Sequence, residues 1–478
     1  MQAPLLHSCW HARNEALVNR SLRVLLISAN TEKLPDPVFP IGAAYMAAVA
    51  ARHGHTVDTL DLCFLRAVRP ALDAKVREAR PDVVGISLRN LDSSSYPQNT
   101  SYIDDYKQLI DGVRELTGAP IVLGGAGFTV MPETIMEYLG AEVGVVGEGE
   151  AAFPWILERL ASGQPICSTP EYECRPVNGG VCVSPVIRIK QLDLAGTPLR
   201  RCFDMQRYYE YGGALNIQTK RGCYFECVFC SYPLIEGSKV RMRTAQAVVD
   251  EIQSVREECG IRHWFFVDNI FNMPIRHAKN ICEEIAARQL DIEWSGYLNP
   301  KFIDDELCDL MARSGCKAIE FGTDSGSATM IANLKKEFDP DDLRHASALC
   351  RRRHLKFCHS LIFGGPGETR QTVTETLELM DELQPTAVIA MTGIRVLPGT
   401  AMVEIALRDG QIDADDNLLY PKFYISPALG DELIDHIEAY ARAHPNWIVP
   451  GKGIKTNIQV LQKLRERKIK GQLWRLLR

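Results

Sequence analysis

Residues 220–230 read KRGCYFECVFC, so three thiols, Cys223, Cys227 and Cys230, stand within eight positions in a C-x3-C-x2-C array. Thiolates are the usual ligands of iron–sulfur clusters. Three on one short segment can reach three corners of an iron–sulfur cube and leave the fourth iron open to another ligand. A structural zinc site asks for four ligands, as a rule two pairs set apart by a longer stretch, and the chain has no second C-x2-C. The other twelve cysteines, Cys9, Cys63, Cys167, Cys174, Cys182, Cys202, Cys259, Cys282, Cys308, Cys316, Cys350 and Cys358, are scattered singly. Residues 1–20 mix His, Trp, Arg and Glu without an apolar run, so no secretory signal is expected. In the reducing cytoplasm that this implies, lone cysteines read as buried thiols and not as a disulfide framework.

Such a loop needs a rigid scaffold, and the hydrophobic pattern supplies one. Residues 23–28, 56–60, 82–87, 121–123 and 143–146 are short apolar runs with helical patterns between them. Continuous β-branched runs alternating with helices mean a parallel sheet covered on both faces. Five such units make a doubly wound, Rossmann-like α/β domain over residues 1–161, whose ligands sit beyond the carboxyl ends of the strands. A Pro- and Gly-rich stretch, 162–212, reads as a linker with short strands. Strand patterns resume at 214–219, 263–267, 291–295, 318–321, 356–362 and 387–392, most of them followed by a helix. Six βα units predict a partial (β/α)6 TIM-like barrel over 213–405, with the cysteine loop directly after its first strand. Residues 406–478 read as a mixed cap ending in a helix.

At 478 residues the chain exceeds one ordinary core, and no run approaches the ~18 apolar residues of a membrane span. The net charge of −6 conceals an asymmetry. Residues 451–478 hold nine Lys/Arg and one acid, Glu466, a sum of +8 that leaves −14 on the rest. A single basic helix on an acidic body is no general nucleic-acid footprint, so no nucleic-acid partner is expected. In this tail Ile458, Leu461 and Leu464 share a helical face, as do Leu473, Leu476 and Leu477. A basic amphipathic helix of that kind with Trp474 either docks on the barrel or lies on an anionic membrane surface. The second alternative would place the protein at the membrane periphery and favour a lipid-like substrate.

The cysteine loop, with Phe229 just before its last thiol and a strand just before its first, resembles that of the radical S-adenosylmethionine (radical SAM) superfamily. The resemblance runs along the barrel. Val267-Asp268-Asn269 ends the second strand, where the superfamily holds the amino group of S-adenosylmethionine (SAM). Residues 320–326, EFGTDSG, look like its turn after the fourth strand, with Glu320, Asp324 and Ser325 as candidate contacts, although Asp324 stands where Glu is usual. Residues 361–369, LIFGGPGET, are similar to the segment near the adenine and bring Gly364 and Gly365; residues 397–400, LPGT, match the turn after the sixth strand. Each has a plainer reading alone: Gly-Pro-Gly is often only a turn and Asp often only a cap.

The first domain lacks G-x-G-x-x-G after its first strand. Its strand-end loops instead read PVFPIGAAY (37–45), SLRN (87–90), GGAGFTVMPE (124–133) and GEGE (147–150). These resemble, in order, the cobalamin-binding domain that precedes the barrel in one class of radical SAM enzymes. The resemblance implies cofactor contacts at Pro40, Gly42, Ser87, Arg89, Asn90, Gly124, Gly125, Gly127, Gly147, Glu148 and Gly149. The D-x-H-x-x-G motif whose His ligates cobalt elsewhere is absent, so cobalamin is expected base-off and His-off.

Together the resemblances imply a 4Fe-4S cluster on Cys223, Cys227 and Cys230, with SAM and cobalamin as the other cofactors. They imply a methyltransferase that moves a methyl group from methylcobalamin to an unactivated carbon of a small-molecule or lipid-like substrate. A flavodoxin- or ferredoxin-type protein would supply electrons. The alternative is a related enzyme that forms a ring or a C–C bond without methyl transfer; a cobalamin- or redox-sensing module is a third reading.

Overall fold

The structure is a computed structural model and describes residues 20–164, 175–177, 181–183, 186–430, 432–452 and 454–477. Cys9, Cys167 and Cys174 lie outside the described residues. The eleven cysteines whose side chains are described are all free thiols.

The first sheet is built from β1 (Arg23–Ser28), β2 (Thr56–Asp61), β3 (Val83–Ser87), β4 (Ile121–Gly124), β5 (Val143–Gly144), β6 (Arg175–Val177) and β7 (Val181–Val183). Their order is β2-β1-β3-β4-β5-β7-β6, parallel throughout except for the β6–β7 pair. The two last strands come from the stretch expected as a linker. β1 explains why its run is apolar at every position. Val24 and Leu26 pack with Ala47, Ala50 and Phe153 on one face, while Leu25 and Ile27 pack with Leu72, Val76 and Ile110 on the other. A strand with helices on both faces has no solvent side to mark with polar residues. The chain crosses from β1 to β2 on one side and then back past β1 to β3 on the other, and a crevice opens at that switch point beyond the carboxyl ends.

The second sheet contains β8 (Leu215–Ile217), β11 (His263–Phe266), β12 (Glu293–Leu298), β13 (Cys316–Asp324), β14 (Lys356–Phe363) and β15 (Ala387–Thr392). They run parallel in chain order, an open six-stranded barrel, and β18 (Trp447–Ile448) from the cap extends it beyond β15. Two short hairpins complete the strands: β9 (Lys220–Arg221) with β10 (Arg241–Met242), and β16 (Ile394–Arg395) with β17 (Phe423–Tyr424). Thr244, Asp304, Asp339 and Thr369 cap the barrel helices by accepting backbone N–H bonds, each worth about 1 kcal/mol.

The domains are locked by buried charge. Glu251, on a barrel helix, accepts from Arg200 at 2.8 Å and pairs with Arg243 at 2.7 Å, all three about 3% exposed at the side chain. Arg200 also donates to the Asn216 carbonyl, and the Asn216 amide donates to the Phe39 carbonyl in the first domain.

The tail is not one helix. Residues Ile458–Glu466 are helical, the chain reverses at Lys468 and Gly471, both at positive φ, and a short turn follows at Leu473–Leu476. Trp474, 7% exposed, packs under the barrel against Ala318, Cys358 and Ala387. Arg465 is buried and pairs with Asp36 of the first domain at 2.6 Å, and Lys470 donates to the Tyr209 carbonyl. The docked alternative is therefore the one the structure adopts. No helix among the described residues is long and apolar enough to cross a membrane.

Burial raises the Asp36 carboxyl to about 6 against the opposing pull of Arg465. The unfolded group releases its proton lower, so the stability contributed by holding that proton is present in acid and lost as pH rises toward about 6. Arg465→Met removes the counter-charge and is expected to cost about 3 kcal/mol once Asp36 is ionised, and less where it is protonated. Melting temperatures of the variant should fall further behind wild type at pH 8 than at pH 5; a deficit independent of pH would count against this account.

Candidate active site

The cysteine loop leaves β9 through Gly222. Its φ is +97°, and a Cβ there would meet the Lys239 carbonyl oxygen at 2.2 Å, so only glycine makes this turn. The Gly222 N–H donates to Glu236 at 3.0 Å and the Cys223 N–H to the Gly237 carbonyl at 2.9 Å. Val228 is pinned to Leu334 and Met402 through backbone bonds, and Cys230 N–H donates to the Cys227 carbonyl. Burial raises all three thiols, Cys230 to about 12, and Cys223 and Cys227 push it up further by proximity. The opposing positive charge is Lys336, which sequence reasoning missed. It lowers all three thiols, lies 5.8 Å from the Phe229 ring centre and donates to Asp324 at 2.5 Å. No three His, Cys, Asp or Glu side chains among the described residues converge as ligands of one metal ion. Three thiols without a fourth ligand among the described residues are the donor set of a cluster with an open iron, whereas structural zinc takes four.

The expected SAM contacts divide. Asn269 keeps a buried, unpartnered amide nitrogen, a donor awaiting an acceptor. Asp324 holds a left-handed backbone, φ 61°, beside Lys336 at the cluster loop. Asp268 is turned away: its carboxylate accepts from the Thr219 N–H and hydroxyl and from the Lys220 ammonium, so it positions the start of the cysteine loop. Ser325 is buried against Thr376 at 2.9 Å. Gly364 and Gly365 both donate their N–H groups to Glu368, which belongs to the same segment but is not among the expected contacts, and whose carboxyl burial raises to about 7. Those two glycines have no free N–H for a ligand and can offer only surface. Glu320 lies deeper in the barrel, where the Ser360 hydroxyl donates to it at 2.8 Å.

A cavity of about 340 Å3 separates the two domains. It is lined by Pro40, Gly42, Ser87, Arg89, Gly124, Gly125, Gly147, Glu148 and Gly149, nine of the eleven expected cobalamin contacts. Asn90 and Gly127 are outside it. Asn90 accepts from Arg89 and, through its carbonyl, from the Tyr106 hydroxyl, while Gly127 packs its backbone on Leu88 and Arg89. Gly125, at φ +105°, brings its backbone so close to Leu88 that a Cβ would sit 2.6 Å from that carbonyl. Glu148 touches the cavity but is engaged by Arg241 at 2.5 Å, and its neighbour Glu150 by Arg221 at 2.6 Å. The opposite wall comes from the barrel: Asn216, Gln218, Arg221, Tyr232, Glu236 and Val267.

The residues present fit a corrin. Glycines on three loops leave the strand ends bare, and the buried side-chain carbonyl oxygen of Asn30 on the cavity wall has no partner. No histidine is among the lining residues of the described chain. A Cβ added at Gly42 would meet nothing within 4 Å. Gly42→Leu should therefore fold normally and fill the space, weakening hydroxocobalamin binding at least about tenfold. Equilibrium dialysis beside a circular dichroism melt checks this; unchanged affinity would place the corrin elsewhere.

Comparison with known proteins agrees with this geometry. Residues 27–157 match the B12 binding domain and residues 217–380 the radical SAM superfamily. The chain is 28% identical over 433 residues to a tryptophan 2-C-methyltransferase of Streptomyces laurentii, covering 77% of this chain and 72% of that protein. It is 24% identical to a cytidylyl-2-hydroxyethylphosphonate methyltransferase of Streptomyces wedmorensis, with 84% of each covered. It superposes on a radical S-adenosylmethionine methyltransferase of Kitasatospora setae, solved with cobalamin and a 4Fe-4S cluster bound, with a TM-score of 0.83 and 25% identity over 95% of this chain and 97% of that one. With a cobalamin-binding domain closing over a barrel that carries the cluster loop, the chain belongs to the cobalamin-dependent radical SAM enzyme family.

Proposed function

We propose that this enzyme transfers a methyl group to a carbon of a small-molecule substrate held in the barrel mouth. One observation carries the reading: the glycine-lined crevice and the residues that flank the cysteine loop, Arg221 before it and Tyr232 and Glu236 after it, line a single interdomain space. A carbon without an acidic proton is out of reach of general acid–base chemistry at neutral pH. When bound, the cluster with SAM supplies one-electron cleavage of a sulfonium bond, and cobalamin supplies a transferable methyl group. The methyltransferase relatives, one of which methylates a carbon of tryptophan by its name, support this outcome.

Under this reading the chain's own residues take distinct roles. Cys223, Cys227 and Cys230 would hold three irons. Lys336, paired with Asp324, offsets the negative charge of the buried thiolates. The Asn269 amide is a donor for SAM. Pro40, Gly42, Ser87, Gly124, Gly125, Gly147 and Gly149 shape the corrin floor. The absence of a lining histidine supports base-off, His-off cobalamin. Thiolate-ligated clusters have low potentials, so a flavodoxin- or ferredoxin-type donor suits this one.

Three measurements test the reading. Products of a single turnover should contain S-adenosylhomocysteine together with 5′-deoxyadenosine; 5′-deoxyadenosine alone would move the enzyme to the ring- or bond-forming alternative. Cys227→Ala should lose its iron and all cleavage of SAM while still binding cobalamin, and in that protein the electron paramagnetic resonance of cobalt(II) should lack splitting from an axial nitrogen. Retained cleavage refutes the cluster assignment, and a clear axial-nitrogen pattern refutes the base-off state.

A further inference from the structure

Beneath the interdomain cavity, the barrel lumen has aromatic walls and a carboxylate without a counter-ion. Tyr297 on β12 stands opposite Glu320 on β13, and Phe265 on β11 meets the Tyr297 ring edge-on at 5.0 Å. Trp294, Leu298, Ile319 and Phe321 pack in the core outside the sheet, so Tyr297 and Glu320 between them point into the barrel lumen, where Tyr297 is 37% exposed and borders an open chamber. Phe265 shares its face with Val267 just past the end of β11, and Val267 lines the interdomain cavity, so the lumen leads up to that cavity. Trp474 seals the lower end on Ala318, Cys358 and Ala387.

Glu320 differs from the protein's other enclosed acids; Glu236 also lacks an ion pair but has a donor on each oxygen, the Gln218 amide and the Gly222 N–H. Glu251 has Arg200 and Arg243, Glu148 has Arg241, Glu150 has Arg221, Asp268 has Lys220 and Asp92 has Arg395. Glu368 has two backbone N–H donors. Glu320 has the Ser360 hydroxyl, with the Trp474 indole turned toward it, and no ion pair among the described residues. A carboxylate removed from water costs several kcal/mol unless a charge or donors answer it, and here burial raises its pKa. An ammonium group would answer it: three N–H donors for the open carboxylate oxygen, and a cation for the faces of Tyr297, Phe265 and Tyr232.

We infer that this chamber is the substrate pocket and that it takes a compact molecule bearing a protonated amine, received by Glu320 at its lower end. The inference rests on the reading of the enzyme as one that acts on a small molecule. It assigns Glu320 to the substrate and not to SAM, and it leaves the methyl-acceptor carbon above the amine, toward the cysteine loop and the cavity.

The test is a binding measurement on the full-length enzyme loaded with cluster and cobalamin, using benzylamine, benzyl alcohol and benzoate as isosteric probes. Benzylamine should bind at least about tenfold more tightly than either of the others, and Glu320→Gln should lose that margin while retaining its iron and cobalamin. A Gln amide has the shape of a protonated acid, so an unaltered margin in this variant would mean that Glu320 acts as a neutral hydroxyl donor and would overturn the proposal. Benzoate or benzyl alcohol binding as well as benzylamine, or no binding of benzylamine to wild type, would overturn it too. The wild-type comparison decides even if the variant fails to fold. Because no turnover is read, a negative result leaves the methyl-transfer reading standing, and the product analysis can fail without touching the pocket.

Discussion

Everything in this active site depends on two loops of opposite charge meeting between the domains. Arg221 precedes the cluster cysteines and reaches Glu150 at 2.6 Å; Arg241, its partner across the β9–β10 hairpin, reaches Glu148 at 2.5 Å. All four side chains are about nine-tenths buried. The net stability of such pairs is small, because desolvation cancels much of the attraction, but removing one member costs about 3–5 kcal/mol. They therefore act chiefly as a register device. Two parallel sheets are held with their carboxyl ends face to face, at the only separation that lets Arg and Glu pair. The crevice of the first domain and the mouth of the barrel become one space as a consequence. The GEGE loop belongs to the first domain by sequence, yet its carboxylates bind the barrel while all four of its residues line the cavity.

That division explains what is legible in the sequence. The cysteine loop and the glycine loops are local: spacing and backbone freedom decide them, and nine of the eleven first-domain residues line the cavity. The alternation of apolar runs and helices is enough for most strands of both sheets, because strands buried on two faces leave a nearly continuous apolar signal, as in β1 and β3. What escapes depends on partners distant in sequence. Nothing in the string LIFGGPGET says that Glu368 will consume the N–H groups of Gly364 and Gly365, nor does a lone Lys336 announce that it will stand over Phe229. Asp268 and Ser325 fall in the same class. Their segments are legible, but the direction of each side chain is set by competition among buried donors and acceptors.

The tail shows the same limit in another form. Spacing identifies an amphipathic segment but not the apolar surface it covers. Lys468 and Gly471 break the helix, and the break turns the second apolar group under the barrel, a geometry that no average over a helical period contains.

An open barrel needs that turn. Six strands do not close a cylinder, and the lower end of the lumen would otherwise expose Ala318, Cys358 and Ala387, residues too small to fill it. Trp474 supplies the missing volume, and β18 covers the free edge of β15. Because the small residues recede, the layer above them is free to hold Glu320, Tyr297 and Ser360 around a chamber and not a packed core. Larger side chains at the lower end would have filled the barrel and left no room for a substrate. The basic C-terminal segment is thus part of the active-site architecture: Arg465 ties it to the cobalamin domain through Asp36, and beyond the reversal at Gly471 the chain returns to seal the barrel through Trp474 and hold the chamber open.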